Sequence, residues 1–256
     1  MERWVNRVAV VTGASSGIGA EIAKDLTKVG MVVIGVARRA EKIDELRMEL
    51  PEEHRKNLHG IKCNVMIEDE VTSTFAQIEE QFGGIDVLVN NAGIYDPSMK
   101  LFQEGNASKI SETINTNITG IISCTREAFK SMKKRQFPGH IINMNSISGH
   151  YVPNLPTDYY FNVYAATKHA LTALTETERQ EFAKEKLGIK VSSISPGIVQ
   201  TELSPHFSKE ALSDFPHLSP QDVSQAILYV LGTPSHVQVQ ELTIKPIRIN
   251  RSENVS

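Results

Sequence analysis

Only two of the 256 residues are cysteine, Cys63 and Cys124, and neither sits in metal-ligand spacing. A chain of this length with so few thiols has no disulfide framework, which points to a reducing compartment and a cytoplasmic protein. Long hydrophobic runs are missing as well. None approaches the roughly 20 residues needed to cross a bilayer, so no transmembrane segment is expected. The start, Met1-Glu2-Arg3-Trp4-Val5-Asn6-Arg7, lacks the basic stretch and long apolar segment of a signal peptide. There is no basic surplus either: a formal net charge of -3 argues against a nucleic-acid binder. No linker, repeat or low-complexity run divides the chain. The length and a 40% hydrophobic content fit one large α/β domain, expected over residues 1–250, with a polar tail at 251–256.

What is present is a regular rhythm. Val8–Val11 reads as a buried strand, followed by a helix from Gly17 to about Val29 that Gly30 caps. Met31–Val36 is a second strand, Ala40–Leu50 a helix, Ile61–Val65 a third strand and Glu68–Phe82 a helix ending at Gly83-Gly84. Val87–Val89, Ile141–Met144 and Ile189–Ile194 read as strands, Ile110–Lys134 and Tyr164–Lys186 as helices. Asp222–Leu231 reads as a last helix, and His236–Ile247 offers an edge strand. Alternating strands and helices imply parallel βαβ units in a doubly wound sheet. The strands lack polar alternation, as expected when helices cover both faces. The Pro/Ser-bearing stretch at about 200–220 reads as a substrate loop passing over the site.

Thr12-Gly13-Ala14-Ser15-Ser16-Gly17-Ile18-Gly19 falls between the first strand and the first helix. Glycines let the backbone turn tightly, and free N–H groups at a helix start favour a pyrophosphate. The spacing G-x-x-x-G-x-G differs from the general dinucleotide fingerprint and from a P-loop. The competing reading is an ordinary turn. After the second strand comes Ala37-Arg38-Arg39, with no acid before Glu41. A NAD site usually carries an acid there for the ribose hydroxyls. Two guanidiniums suit a 2′-phosphate instead, which favours NADP(H) over NAD. Asn90-Asn91-Ala92-Gly93, after the fourth strand, suits close packing beside a cofactor.

Tyr164 and Lys168 lie four residues apart, on one face of a helix. A nearby cation favours a phenolate, so this pair can make a general acid/base from a group that ordinarily titrates near 10. Ser146, just past the strand ending at Met144, can hydrogen-bond a substrate carbonyl, with Ser148 as its rival. Asn117 sits where asparagine is a mediocre helix former, and Asn115 fits the same description. Tyr151, Val152, Pro153, Leu155, Tyr160, Val199, Leu203, Phe207, Phe215 and Leu218 are candidates for an apolar substrate pocket. His150 and His169 read as structural residues.

Taken in order, Thr12-Gly13-x-x-x-Gly17-Ile18-Gly19, Asn90-Asn91-Ala92-Gly93, Ser146, Tyr164-x-x-x-Lys168, and Pro196-Gly197 followed by Thr201 resemble the short-chain dehydrogenase/reductase family over residues 6 to 247. The resemblance implies a single-domain Rossmann fold with a seven-stranded parallel sheet. It implies NAD(P)-dependent interconversion of an alcohol with its aldehyde or ketone, with Arg38 at the position that selects NADP(H). Tyr164 would be the acid/base; Lys168 would lower its pKa and hold the nicotinamide ribose; Ser146 would orient the substrate oxygen. Asn117 would keep a water in a proton relay. Gly13, Ser15, Ser16, Gly17, Ile18, Gly19, Arg38, Arg39, Asn64, Val65, Asn91, Ala92, Gly93, Tyr164, Lys168, Pro196, Gly197, Val199 and Thr201 would hold the cofactor. Ser146, Tyr151, Tyr160, Leu203 and Phe207 would contact substrate. A homodimer or homotetramer is implied, through the helices at 110–134 and 164–186.

Two departures stand out. Asn64-Val65 replaces the family's usual Asp-Val, and its side-chain oxygen can still accept from an adenine amino group. Ser146 and Tyr164 are eighteen residues apart, more than is usual in the family. That longer loop resembles the subgroup holding the insect farnesol dehydrogenases and vertebrate family member 11. It implies hydrophobic substrates: prenols such as farnesol, with hydroxysteroids or other apolar carbonyls as the alternative. A non-catalytic NADP(H)-binding redox regulator remains open on fold alone. An epimerase or dehydratase would carry a different glycine spacing and a larger C-terminal region.

Overall fold

Val8–Thr12 (β1), Val32–Ala37 (β2), Val87–Asn90 (β4), His140–Met144 (β5) and Lys190–Pro196 (β6) are almost wholly buried strands. A strand without an exposed face can only be stable between two helical layers, and that is the arrangement found in the computed structural model, which describes residues 1–154, 159–201 and 216–247. Leu58–Lys62 (β3) and Glu241–Ile244 (β7) close the two edges. The sheet has seven strands in the order β3-β2-β1-β4-β5-β6-β7, all neighbours parallel.

Successive residues of β1 face opposite layers. Ala9 and Val11 pack with Gly17–Lys28 (α1), Glu41–Glu49 (α2) and Pro220–Gly232 (α8), through Ile22, Leu26, Ile43 and Ile227. Val8 and Val10 pack with Glu68–Phe82 (α4), Gly120–Arg135 (α6) and Asn162–Lys184 (α7), through Phe75, Ile78, Met132 and Phe182. Glu52–Arg55 (α3) and Ala107–Ile114 (α5) are short connectors. The strand order reverses between β1 and β4, so a crevice opens beyond their carboxyl ends, the place where open α/β sheets take ligands.

The structure corrects several boundaries. The third strand is Leu58–Lys62, three residues before the apolar run Ile61–Val65. As an edge strand it is only partly buried and accommodates His59 and Gly60, with Leu58 beside Val33 and Lys62 beside Ala37. Asn64 and Val65 therefore lie in the loop beyond it. The stretch expected as one helix from Ile110 to Lys134 is two helices joined by a π-helical turn at Asn115–Thr119. Such bulges often accompany functional sites. The helix carrying Tyr164 begins earlier, at Asn162. The edge strand expected within His236–Ile247 is present as β7.

Beneath the crevice, polar side chains link the sheet to the helices. Asn90 donates to Thr125 and to Asn143, both at 2.9 Å. Asn143 in turn donates to Thr175 at 3.0 Å and to the Glu178 carboxylate at 2.7 Å. Burial pushes Glu178 from 4.5 up to about 7, against the opposing effect of its bonds to Asn143 and Thr125. The folded chain therefore holds a proton that the unfolded chain has lost between these two values. The stability this confers is fully present below pH 4.5 and is lost as pH rises through about 7. Glu178→Gln, which keeps an acceptor for Asn143, should flatten that dependence. Urea unfolding from about pH 5 to about pH 8 should show the variant gaining on the parent by on the order of 2 kcal/mol at the alkaline end.

Candidate active site

The glycine turn is shaped by its neighbour across the sheet. Gly13 has φ +68 and Gly17 φ +58, a left-handed region that favours glycine. A side chain at Gly13 would meet Ala92 Cα at 2.9 Å, and one at Gly19 would meet Asn91 Nδ2 and the Gly13 carbonyl, both at 2.4 Å. The Asn91 amide fills that space, donating to the Thr12 carbonyl at 2.9 Å and the Gly13 carbonyl at 3.3 Å. Thr12 Oγ1 accepts from the N–H groups of Asn91 and Ala92, each at 3.0 Å. The turn thus leads straight into α1, whose N-cap Ser16 makes no side-chain cap and whose first turn contains no acid. Uncapped N–H groups at the positive end of a twelve-residue helix suit an anion.

A cavity of about 540 Å³ opens over this turn. Its walls include Gly13, Ser15, Ser16, Gly17, Ile18 and Gly19, then Arg38, Arg39, Asn64 and Val65, then Asn91, Ala92 and Gly93. Ser146, Tyr164, Lys168, Pro196, Gly197, Val199 and Thr201 complete the set expected from sequence. Arg38 and Arg39 are exposed at the rim, and neither makes an ion pair among the described residues; the nearby acids Asp44 and Glu45 pair with Arg47 and Lys42. Asn64 Oδ1 already accepts from the Met66 N–H at 3.2 Å. Segment 196–201 leans over the helix start, with Gly197 N–H bonded to the Ile244 carbonyl and Thr201 close against Gly17.

At the other end of the cavity the phenol of Tyr164 receives a hydrogen bond from Ser146, whose Oγ accepts from the Ser148 N–H at 3.1 Å. Ser148 is thereby a support for Ser146. Lys168 donates to the Met144 carbonyl at 2.7 Å, and its ammonium lies 5.6 Å from the Tyr164 ring centroid. The charge balance differs from the simple expectation of a lysine that depresses the tyrosine. Burial pushes Tyr164 up to about 12, with the Ser146 bond opposing, and burial lowers Lys168 to about 8. Desolvation is the leading influence on both groups, and in each it favours the neutral form.

Asn117 is fully buried and does not line the cavity. Its Oδ1 accepts from the Ile94 N–H at 2.9 Å; its Nδ2 donates to the Ile94 carbonyl and to Thr167 Oγ1, both at 3.1 Å. Thr167 Oγ1 donates to the Tyr164 carbonyl at 2.7 Å. The side-chain amide of Asn117 thus clamps the β4 loop to α7. Tyr151 and Tyr160 do not line the cavity either: the Tyr151 hydroxyl accepts from Lys245 at 3.0 Å, and Lys100 sits over the Tyr160 ring at 5.4 Å. Leu203, Phe207, Phe215 and Leu155 lie outside the described residues, as does most of the loop at 200–220. Val152 is exposed, whereas Pro153 lines the cavity. Leu218 pairs with Val199 in an isolated bridge.

Residues that sequence reasoning missed include Tyr95 and Phe161, which line the cavity beside Tyr164. The available signal was position: Tyr95 follows Asn91-Ala92-Gly93 by two residues, and Phe161 precedes Tyr164 by three. His150 bonds Ser195 and the Glu241 carboxylate, which makes it a tie between the β5 loop and β7. His140 is buried against Ser192 and held down to about 3 by burial. Among the described residues no cluster of His, Cys, Asp or Glu fits a metal ion, and no helix is long and apolar enough to cross a membrane.

Known proteins agree with this geometry. The farnesol dehydrogenase of Aedes aegypti is 49% identical over 249 residues, 96% of this chain and 98% of that protein. The human dehydrogenase/reductase SDR family member 11 is 39% identical over 255 residues, 96% of each. Among solved structures, the closed form of serine dehydrogenase complexed with NADP+ superposes with a TM-score of 0.81 at 29% identity, covering 93% of this chain and 94% of that one. A short chain dehydrogenase from Burkholderia cenocepacia in complex with NADP gives a TM-score of 0.82 at 26% identity, covering 95% and 98%. The family model described as short chain dehydrogenase matches residues 7–211. With that match, the glycine turn and the Ser146–Tyr164–Lys168 arrangement, the chain belongs to the short-chain dehydrogenase/reductase family and is an oxidoreductase.

Proposed function

We propose that the protein interconverts an apolar alcohol, foremost a prenol such as farnesol, with its aldehyde, using NADP(H). The observation that carries this reading is the Tyr164 phenol bonded to Ser146 at one end of a cavity whose other end is a glycine turn and two arginines with no ion pair among the described residues. A dinucleotide fits those walls: the side-chain-free face at Gly13 and Gly19 and the α1 N–H groups suit a pyrophosphate. Arg38 and Arg39 suit a 2′-phosphate, and the NADP of two structural neighbours accords with this. The 49% identity to a farnesol dehydrogenase and the apolar side chains Ile94, Ile147, Pro153 and Phe161 support the substrate class.

When bound, the dinucleotide supplies or accepts a hydride at its nicotinamide ring. The protein's own part is the proton on the substrate oxygen. Tyr164, held protonated by burial, donates that proton when a carbonyl is reduced, while Ser146 hydrogen-bonds the same oxygen. In the oxidation direction Tyr164 must first lose its proton. Lys168 assists there as a cation, with an ammonium lowered to about 8. Excluding water from the crevice strengthens both interactions.

Three outcomes test this. Tyr164→Phe should lower turnover by about 10²- to 10⁴-fold while dinucleotide titrations stay close to the parent; near-parental turnover would remove Tyr164 from the chemistry. Because burial raises the phenol to about 12, initial rates of alcohol oxidation should climb as pH rises from neutrality, while carbonyl reduction should stay nearly flat over the same range. An oxidation profile flat across that range would contradict the acid/base role. Arg38→Ala should weaken NADPH by about tenfold or more and leave NADH nearly unchanged, in line with losing a charged hydrogen bond; equal losses in the two titrations would overturn the 2′-phosphate role.

A further inference from the structure

Tyr95 occupies a position that the proton chemistry does not use. Its ring stands 4.6 Å from that of Tyr164, tilted by 40°, and 5.9 Å from that of Phe161, nearly parallel at 16°. The hydroxyl donates to the Tyr160 carbonyl at 3.2 Å, and burial raises its pKa further from neutrality. It is therefore no second acid, and what Tyr95 offers the cavity is the carbon surface of its ring.

The ring is held firmly. Asn117 grips both the N–H and the carbonyl of Ile94, the preceding residue. On the other side Asn162 donates to the carbonyls of Asp96 at 2.8 Å, Met99 at 3.1 Å and Tyr160 at 2.9 Å. Its Oδ1 accepts from the Tyr164 N–H at 3.1 Å. Asn162 adopts φ +37, unusual for a residue with a side chain. Such backbone strain persists where the surroundings over-determine it. One side chain thus fixes the Tyr95 loop and the helix start that carries Tyr164 relative to each other.

Because the Tyr95 ring lies 4.6 Å from that of Tyr164 in the wall of the same cavity, a substrate whose oxygen meets Tyr164 and Ser146 has the atoms next to its reacting carbon within reach of this ring. A carbon–carbon double bond conjugated with the carbonyl is coplanar with it and can lie flat against an aromatic face. A saturated chain has no such fixed plane. We propose that Tyr95 sets substrate specificity: its ring receives the planar segment beside the reacting carbon, favouring allylic alcohols and conjugated aldehydes over saturated ones. This rests on the alcohol–carbonyl reading above and narrows its substrate class.

The test uses geraniol and citronellol, alcohols that differ only in the double bond next to the reacting carbon. The ratio of their kcat/KM values is measured for the parent, Tyr95→Phe, Tyr95→Leu and Phe161→Leu, each compared with the parent so that intrinsic reactivity cancels. NADPH titration of each variant checks folding. Tyr95→Phe should keep the parental ratio. Tyr95→Leu should reduce it by about two- to tenfold, the range for one aromatic contact, chiefly through KM for geraniol. Phe161→Leu, which removes the cavity-lining ring stacked on Tyr95, should shift it the same way. A ratio unchanged in both leucine variants, or equal losses for the two alcohols, overturns the proposal. A Tyr95→Phe loss as large as that of Tyr95→Leu also overturns it, since the hydroxyl would then be the determinant. A parent that binds NADPH tightly yet oxidises neither geraniol nor citronellol refutes the alcohol–carbonyl reading itself, and the specificity inference falls with it.

Discussion

Thr12 and Asn91 join the carboxyl ends of β1 and β4, and the site depends on that junction. The two strands pair directly, but ladder bonds stop at Val11 and Val89, short of the crevice. Beyond that point side chains take over: Thr12 Oγ1 accepts two backbone N–H groups, and the Asn91 amide occupies the space that Gly13 and Gly19 leave open. Each such bond contributes only about 1 kcal/mol net, yet breaking one strands a partly buried polar group at greater cost. The connection continues from Ile94 through Asn117 and Thr167 to the Tyr164 carbonyl. The glycine turn and the acid/base thus belong to one bonded framework.

Burial governs the electrostatics in both halves of the molecule. It raises Tyr164, lowers Lys168 and raises Glu178, in each case favouring the neutral form. For Glu178 the consequence is a contribution to stability that depends on pH. For Tyr164 it is a phenol ready to give its proton, which suits carbonyl reduction. The Ser146 bond is the influence that opposes burial at Tyr164; Lys168 is bonded to a backbone carbonyl, its ammonium 5.6 Å from the Tyr164 ring centroid.

Much of the fold is readable along the chain, because strands buried on both faces are continuous apolar runs and glycines mark their ends. Reading failed where that physics fails. Leu58–Lys62 is an edge strand with His59 and Gly60 inside it, so hydrophobicity points three residues too late. The π turn at Asn115–Thr119 lies within an otherwise helical pattern, and only the pair of asparagines hints at it. Asn117 is conspicuous by residue type, but its side-chain amide clamps Ile94 to Thr167, and no spacing in the sequence shows where those partners are. Tyr151 and Tyr160 lie near the site in sequence, yet their side chains are engaged by Lys245 and Lys100, and neither residue lines the cavity.

The sequence by itself determined the alternating βα architecture, the glycine turn, the arginines after the second strand, and the Ser–Tyr–Lys set. These depend on local periodicity, on conformational freedom at single residues and on short spacings, all of which are written in chain order. Tertiary structure decided which aromatic residues face the reacting position and which protonation states burial favours. It also decided how Asn91, Asn117 and Asn162 bind separate segments into one site. Those outcomes depend on partners tens of residues away, from Thr12 to Asn91 and from Asp96 to Asn162, and on the loss of water between them. Neither distance in space nor desolvation can be read from order along a chain.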